Sequence, residues 1–164
     1  MISIGANVGD PVRSVLLALD RLAALSCMPL RRSSLWRTAP VDCAPGTPPF
    51  VNAAAAIVPF PGETPESLLG KPLGIEAEMG RVRSCRNESR VIDLDLIAFG
   101  KERRNSEELV LPHPRAHLRR FVLQPLSEIV PDFLLPGFDA TVAELLARLP
   151  GKDIVLPLTR ARSG

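Results

Sequence analysis

The chain has 164 residues, 46% of them apolar and 23% charged, with a formal net charge of +2. That is the size and balance of one soluble domain with its own core, and it supplies no global field to attract nucleic acid. No apolar run approaches the roughly 20 residues of a membrane span. No basic, apolar leader opens the chain. The three cysteines (Cys27, Cys43, Cys85) lack metal-type spacing and fit free thiols in a reducing cytoplasm.

In chain order, Met1 to Ile4 predicts a short first strand and Gly5 to Gly9 a turn. Asp10 and Pro11 are suited to the N-cap and first position of a helix running to about Leu25. Its predicted apolar stripe is Val12, Val15, Leu16, Leu19 and Leu22. A strand is expected over Ser33 to Thr38. A long irregular loop follows, A-P-V-D-C-A-P-G-T-P-P-F, and loops of that length in small domains are often functional. Val51 to Val58 is read as a strand because Pro-rich segments bound it. Thr64-Pro65-Glu66 starts a helix reaching Met79, with a kink or restart at Gly70 and Pro72. Val91 to Phe99 is a strand, Lys101 to Asn105 a polar turn and Leu109 to Leu111 a short extended piece. Pro114 is placed to start a short helix ending near Leu123 to Leu126, and another helix covers about Thr141 to Leu149. The tail from 159 to 164 is read as loose, and residues 1 to 164 as a single domain. The mixture predicts an α+β fold, an antiparallel sheet with helices packed on it.

The strand R-V-I-D-L-D-L-I-A-F-G carries the chemistry. Residues i and i+2 of a strand share a face, so Asp93 and Asp95 project together while Ile92, Leu94 and Leu96 enter the core. Two carboxylates pointing one way repel unless a cation sits between them. Mg²⁺ is suited, because it takes one or two carboxylates and completes its shell with water and phosphate oxygens. The alternative is a solvated strand face paired with arginines. Arg81, Arg83, Arg86 and Arg90 lie just upstream, and guanidinium forks beside a carboxylate-held metal suit a polyphosphate. No P-loop is present. His113 and His117 form H-P-R-A-H; zinc would need a third ligand and a base. Hydrogen bonding to phosphate beside Arg119, or local capping by His113, are the other readings.

These pieces stand in the order of a known family. I-S-I-G-A-N-V-G, W-R-T-A-P, P-P-F-V-N-A-A, I-E-A-E-M-G-R-V-R, R-V-I-D-L-D-L and L-P-H-P-R-A-H-L-R-R-F-V-L-Q-P-L together resemble the 6-hydroxymethyl-7,8-dihydropterin pyrophosphokinases of folate biosynthesis. The resemblance implies a ferredoxin-like sheet and transfer of pyrophosphate from ATP to the pterin hydroxymethyl group, releasing AMP. It implies two Mg²⁺ ions held by Asp93 and Asp95. Arg81, Arg83, Arg90, His113 and Arg119 match the family's phosphate-facing positions. Thr38, Pro40, Phe50, Asn52 and Phe121 match the pterin-facing ones, and Glu76 matches a glutamate expected to orient arginines. The implied partners are the two small substrates, with no nucleic acid or membrane, for a cytoplasmic monomer. Two departures stand out. Ala6 replaces a frequent serine, and S-C-R-N-E-S between Arg83 and Arg90 lacks the G-P or Trp of many relatives.

Two other readings remain. A ferredoxin-like RNA-binding module would need aromatic residues on the sheet face, and the chain has no tyrosine; steep salt dependence of RNA binding would mark it. A non-catalytic relative that only binds nucleotide would fail to produce AMP.

Overall fold

The structure, a computed structural model, describes residues 1–81, 90–151 and 155–158. The first strand, β1 (Ile2–Ala6), is buried along its whole length. Helix α1 (Pro11–Ala23) starts as expected, with the Asp10 carboxylate accepting the Arg13 N–H at 3.0 Å. Strands β2 (Arg31–Arg32), β3 (Trp36–Thr38) and β4 (Phe50–Ala56) follow, then helix α2 (Pro65–Glu78) and the acidic strand β5 (Asp93–Leu96). A hairpin of β6 (Arg104–Asn105) and β7 (Val110–Leu111) leads to a 3-10 turn over Ala116–Leu118. Helices α3 (Arg120–Ile129) and α4 (Val142–Arg148) and strand β8 (Val155–Pro157) complete the described fold.

The main sheet has the order β5-β1-β4-β3-β8, with β2 also on β4, and every pairing is antiparallel. Helix α1 links β1 to β3 and α2 links β4 to β5, each connection passing over one intervening strand. With β1, β3, β4 and β5 this is the ferredoxin-like α+β arrangement expected from the sequence. Strict alternation assigns the two faces. Ile2, Ile4, Val51, Ala53, Leu94 and Leu96 join Val15, Leu19 and Leu68 in one core beneath α1 and α2. Ala54 and Ile97 join Val122, Leu126 and Val142 in a second core beneath α3 and α4. Ala53, Ala54 and Ala55 of β4 are completely buried, on alternating faces, which lets helices close on the central strands from either side.

Several boundaries differ from expectation for physical reasons. The contact stripe of α1 is Val15, Ala18, Leu19 and Leu22, whereas Val12 and Leu16 are 38% and 39% exposed. Ala18 makes the close approach, so the larger residues flank it. Of the predicted strand over Ser33 to Thr38 only β3, Trp36–Thr38, is a strand; β2 lies just before the predicted span, and Ser33 sits between the two. Its N–H donates to the Ala54 carbonyl at 3.0 Å and its hydroxyl accepts the Ala54 N–H at 2.9 Å. Helix α2 is one element running through Gly70 and Pro72 rather than two. A capping box between Thr64 and Ser67 starts it, and Pro72 is itself buried. The acidic strand is shorter than the predicted Val91 to Phe99. Pro114 does not start an α-helix: Arg119 is extended (φ −117°, ψ 108°), so α3 begins at Arg120 and runs on to Ile129. Arg104 and Asn105 of the predicted polar turn form β6. Strand β8 was not anticipated, because it is short, lies at an edge and contains Pro157, a residue tolerated only where no ladder N–H is needed.

Replacing Ser33 by Ala removes the acceptor for the buried Ala54 N–H. The substitution is expected to lower unfolding free energy by about 1–3 kcal/mol, the usual cost of an orphaned buried donor, read by urea denaturation.

Candidate active site

The sheet face opposite α1 and α2 is only partly covered by α3. Its open part forms a cleft of about 280 Å³. Register places the lining residues side by side: Gly5 lies between Asn52 and Asp93, Ser3 between Ala54 and Asp95, and Thr38 beside Phe50. The same alternation that sends Ile2, Ile4 and Leu94 into the core therefore brings both carboxylates and the polar residues of β1, β3 and β4 onto one surface.

Asp93 is held by two arginines. Arg81 Nη1 donates to its Oδ1 at 2.6 Å, and Arg90 Nη1 donates to Oδ2. Arg81 also pairs with Glu76, which is 2% exposed. Glu76 Oε1 accepts the Leu94 N–H at 2.7 Å, on the side of β5 that has no neighbouring strand among the described residues. The glutamate thus fixes both an arginine and the backbone between the two aspartates. At the other end, Asn7 receives the Arg90 N–H on its side-chain oxygen at 2.7 Å. Its own N–H donates to the Arg90 carbonyl at 3.0 Å. The Arg90 backbone is therefore tied to the end of β1.

Asp95 is different. Among the described residues its carboxylate makes no hydrogen bond or ion pair. Burial, and then the charge of Asp93, push its pKa up to about 6, with Glu76 adding to the rise and Arg119 and Arg90 opposing it. A half-desolvated carboxylate beside a second carboxylate is the environment a hard divalent cation relieves. The donor set, carboxylate oxygens with a serine hydroxyl position across the strand, fits Mg²⁺. His113 is tied to the end of β5, its N–H donating to the Ile97 carbonyl at 2.8 Å. Burial, with Arg119 and Arg115 nearby, lowers its pKa to about 4, so it is neutral at pH 7. Arg119 is also depressed from its usual value, first by burial and then by Arg115. His117 points elsewhere, against Phe138 at 4.8 Å between ring centroids.

The other half of the cleft is flatter and less charged. Asn52, 4% exposed, donates from Nδ2 to the Thr38 hydroxyl at 2.7 Å, which fixes the orientation of its amide. Phe50 and Phe121 line the same region, and the Arg119 guanidinium lies 5.4 Å from the Phe121 ring centre. Gly5 forms the floor. A Cβ there would meet Asn52 Oδ1 at 2.7 Å, so only glycine leaves the amide oxygen in place.

Of the residues singled out by sequence, Arg81, Arg90, Asp93, Asp95, His113 and Arg119 meet in this cleft with Thr38, Phe50, Asn52 and Phe121. Pro40 does not line it; its neighbours Ala39 and Val41 do. Arg83 and Arg86, with the S-C-R-N-E-S segment, lie outside the described residues. Ala6, the departure noted from sequence, is fully buried in the core under α1, facing away from the cleft. Four lining residues were missed. Ser3 and Gly5 follow from the alternation of I-S-I-G-A once the strand is carried past Ile4. Arg115 stood unread between the two histidines, and Cys43 lay in the Pro-rich loop.

The raised pKa of Asp95 has a stability consequence. Its folded value lies above the 3.8 of an ordinary aspartate. The group therefore binds its proton more tightly in the folded state, and ionising it above pH 6 costs stability; the cost fades as pH falls toward 4. Asp95→Asn is expected to raise unfolding free energy by about 1–3 kcal/mol at pH 7.5 without divalent metal, and by much less at pH 4. Urea denaturation at the two pH values measures this; an equal or absent gain at both contradicts the assignment.

Comparison with known proteins agrees with this geometry. The profile of the family 7,8-dihydro-6-hydroxymethylpterin-pyrophosphokinase (HPPK) matches residues 1–131. A 2-amino-4-hydroxy-6-hydroxymethyldihydropteridine pyrophosphokinase of Methylorubrum extorquens is 41% identical over 154 residues, covering 93% of this chain and 94% of its own. The protein of the same name from Pseudomonas aeruginosa is 35% identical over 157 residues, covering 93% of each. The folic acid synthesis protein fol1 of Pneumocystis carinii is 34% identical over 95% of this chain, but the chain spans only 21% of that longer protein. Among solved structures, Plasmodium falciparum HPPK-DHPS with pteroate superposes with a TM-score of 0.67 at 14% identity, over 89% of this chain and 41% of that one, a likeness of fold. The chain belongs to the 7,8-dihydro-6-hydroxymethylpterin-pyrophosphokinase family of folate synthesis.

Proposed function

We propose that this chain transfers a pyrophosphoryl group from ATP to the hydroxymethyl oxygen of 6-hydroxymethyl-7,8-dihydropterin. In that reaction the hydroxymethyl oxygen bonds to the β-phosphorus as the bond from that phosphorus to the α–β bridging oxygen breaks. AMP leaves, and the hydroxyl proton passes to solvent. The observation that carries the reading is the single sheet face on which Asp93 and Asp95 stand beside the Asn52–Phe50–Phe121 half of the cleft. One end suits a metal polyphosphate and the other a flat, hydrogen-bonding heterocycle.

Asp93 and Asp95 would hold Mg²⁺, two ions by family resemblance, which when bound neutralises phosphate charge and lowers the barrier to displacement. The chain's own groups do the rest. Asn52, fixed by Thr38, hydrogen-bonds the edge of the pterin, and Phe50 and Phe121 offer it apolar faces. Arg81 and Arg90 present guanidinium groups to phosphate oxygens, and the His113 imidazole and the Arg119 guanidinium offer further donors to them. Arg83 is assigned to the same role by its place in the motif. Holding both substrates against one rigid sheet supplies much of the acceleration, because little covalent work falls to the protein.

We also assign residues 1–164 to one domain acting as a monomer in the cytoplasm, with small-molecule partners and neither nucleic acid nor membrane. No helix among the described residues is long and apolar enough to cross a membrane. The exposed and half-exposed thiols of Cys27 and Cys43 are unpaired, as a reducing compartment keeps them.

With ATP, the pterin and Mg²⁺, the protein is expected to release AMP and pterin diphosphate in equal amounts, resolved by ³¹P NMR. Chelation with EDTA should stop turnover and added Mg²⁺ restore it. Release of ADP instead would exclude the proposal. Asp93→Ala combined with Asp95→Ala should leave no turnover in a protein that still melts cooperatively. Asn52→Ala is expected to weaken pterin binding by about tenfold, the loss of one buried hydrogen-bond partner, while binding of a non-hydrolysable ATP analogue stays within twofold (~0.4 kcal/mol).

A further inference from the structure

We propose that Arg115 is a further phosphate-binding residue of this cleft, which with Arg119 forms an anion-landing site for the ATP polyphosphate that operates before Asp93 and its arginines take part. This deepens the ATP-dependent reading and rests on it.

The argument is a charge balance. Arg81 and Arg90 are both committed to Asp93, and Arg81 also to Glu76, so among the described residues those two cations are engaged with carboxylates. His113 is neutral at pH 7, its pKa lowered to about 4. Arg115 and Arg119 also line the cleft, and neither guanidinium makes an ion pair or hydrogen bond among the described residues. The contact found for Arg119 is the face of Phe121. Arg115 is close enough to act on Arg119: it is the largest charge lowering Arg119, and Asp95 and Asp93 each oppose it less strongly. Unshielded like charges side by side are unfavourable in the ligand-free protein and favourable once a polyanion lies between them.

The backbone explains why the two converge. Arg115 follows Pro114 and precedes the 3-10 turn over Ala116–Leu118. The Arg115 N–H donates to His113 Nδ1 at 3.2 Å, and the Arg119 N–H donates to the Ala116 carbonyl at 3.2 Å. A tight turn thus brings residues four apart back to the same wall. Arg119 is half buried and Arg115 is exposed at the rim. A rim cation acts mainly on encounter and on salt dependence, a buried one on residence.

The test uses the full chain and two probes, a non-hydrolysable ATP analogue and inorganic tripolyphosphate, each titrated at low and high salt. Arg115→Gln is expected to weaken analogue binding about fivefold to tenfold at low salt, the size of one exposed charge-assisted contact. The deficit should shrink at high salt. Arg115→Lys should recover most of the affinity, KM for ATP should rise more than kcat falls, and pterin affinity and melting temperature should stay at wild-type values. Those last two readouts separate an anion contact from a structural role. Analogue binding by Arg115→Gln within twofold of wild type (~0.4 kcal/mol), with the same salt slope, overturns the proposal. If the wild type binds tripolyphosphate in an Arg115-dependent way but not the nucleotide, the landing site stands and the ATP reading falls. If it binds neither probe, both fall.

Discussion

The hydrogen bond from the Leu94 N–H to Glu76 is the contact on which the rest of the site depends. Strand β5 lies at the edge of the sheet, and an edge strand presents N–H groups that need partners. Here the partner is a carboxylate buried to 2% exposure, which is costly unless it is paired. Arg81 pairs it, and Arg81 in turn reaches Asp93, which also holds Arg90. Protection of the sheet edge and orientation of the acidic face are therefore one network. It fixes the backbone between Asp93 and Asp95 and so fixes the direction of both.

The network is balanced at Asp93 and unbalanced on either side of it. Asp95 carries a negative charge that burial and Asp93 make unfavourable. Arg115 and Arg119 carry positive charge that no ion pair among the described residues matches, although Asp95 and Asp93 act on Arg119 from a distance. A cation at the first place and a polyanion at the second remove both penalties, and a metal polyphosphate supplies the two together. In the uncharged half of the cleft Asn52 is held by Thr38 above a floor that only glycine can form, without a ligand. One side of the site is thus preorganised for shape, and the other is poised for charge.

The period-two pattern of I-D-L-D-L was readable from sequence because it needs only strand geometry, and the structure keeps it: Ile92, Leu94 and Leu96 are buried and the aspartates face the cleft. The same rule applied to I-S-I-G-A would have placed Ser3 and Gly5 there too. Gly5 nevertheless reads as the start of a turn, because Gly9 follows closely. The bond between Glu76 and Leu94 could not be read locally, because it depends on β5 being an edge strand beside α2. Arg119 and Phe121 flank the cleft because the chain turns extended at Arg119, whereas Pro114 suggested a helix that would have carried them differently. Strand β8 was invisible because its pairing along β3 is a long-range contact made by a proline-containing edge segment.

Asp95 is a carboxylate whose charge burial and Asp93 make unfavourable and a divalent cation would neutralise. Mn²⁺ titration followed by electron paramagnetic resonance, with a non-hydrolysable ATP analogue present, tests it directly. Wild-type protein should bind Mn²⁺ in the nucleotide complex, and Asp95→Asn should lose at least one of those ions while keeping its fold. Asp95→Asn protein that binds Mn²⁺ with unchanged stoichiometry and affinity would contradict the account.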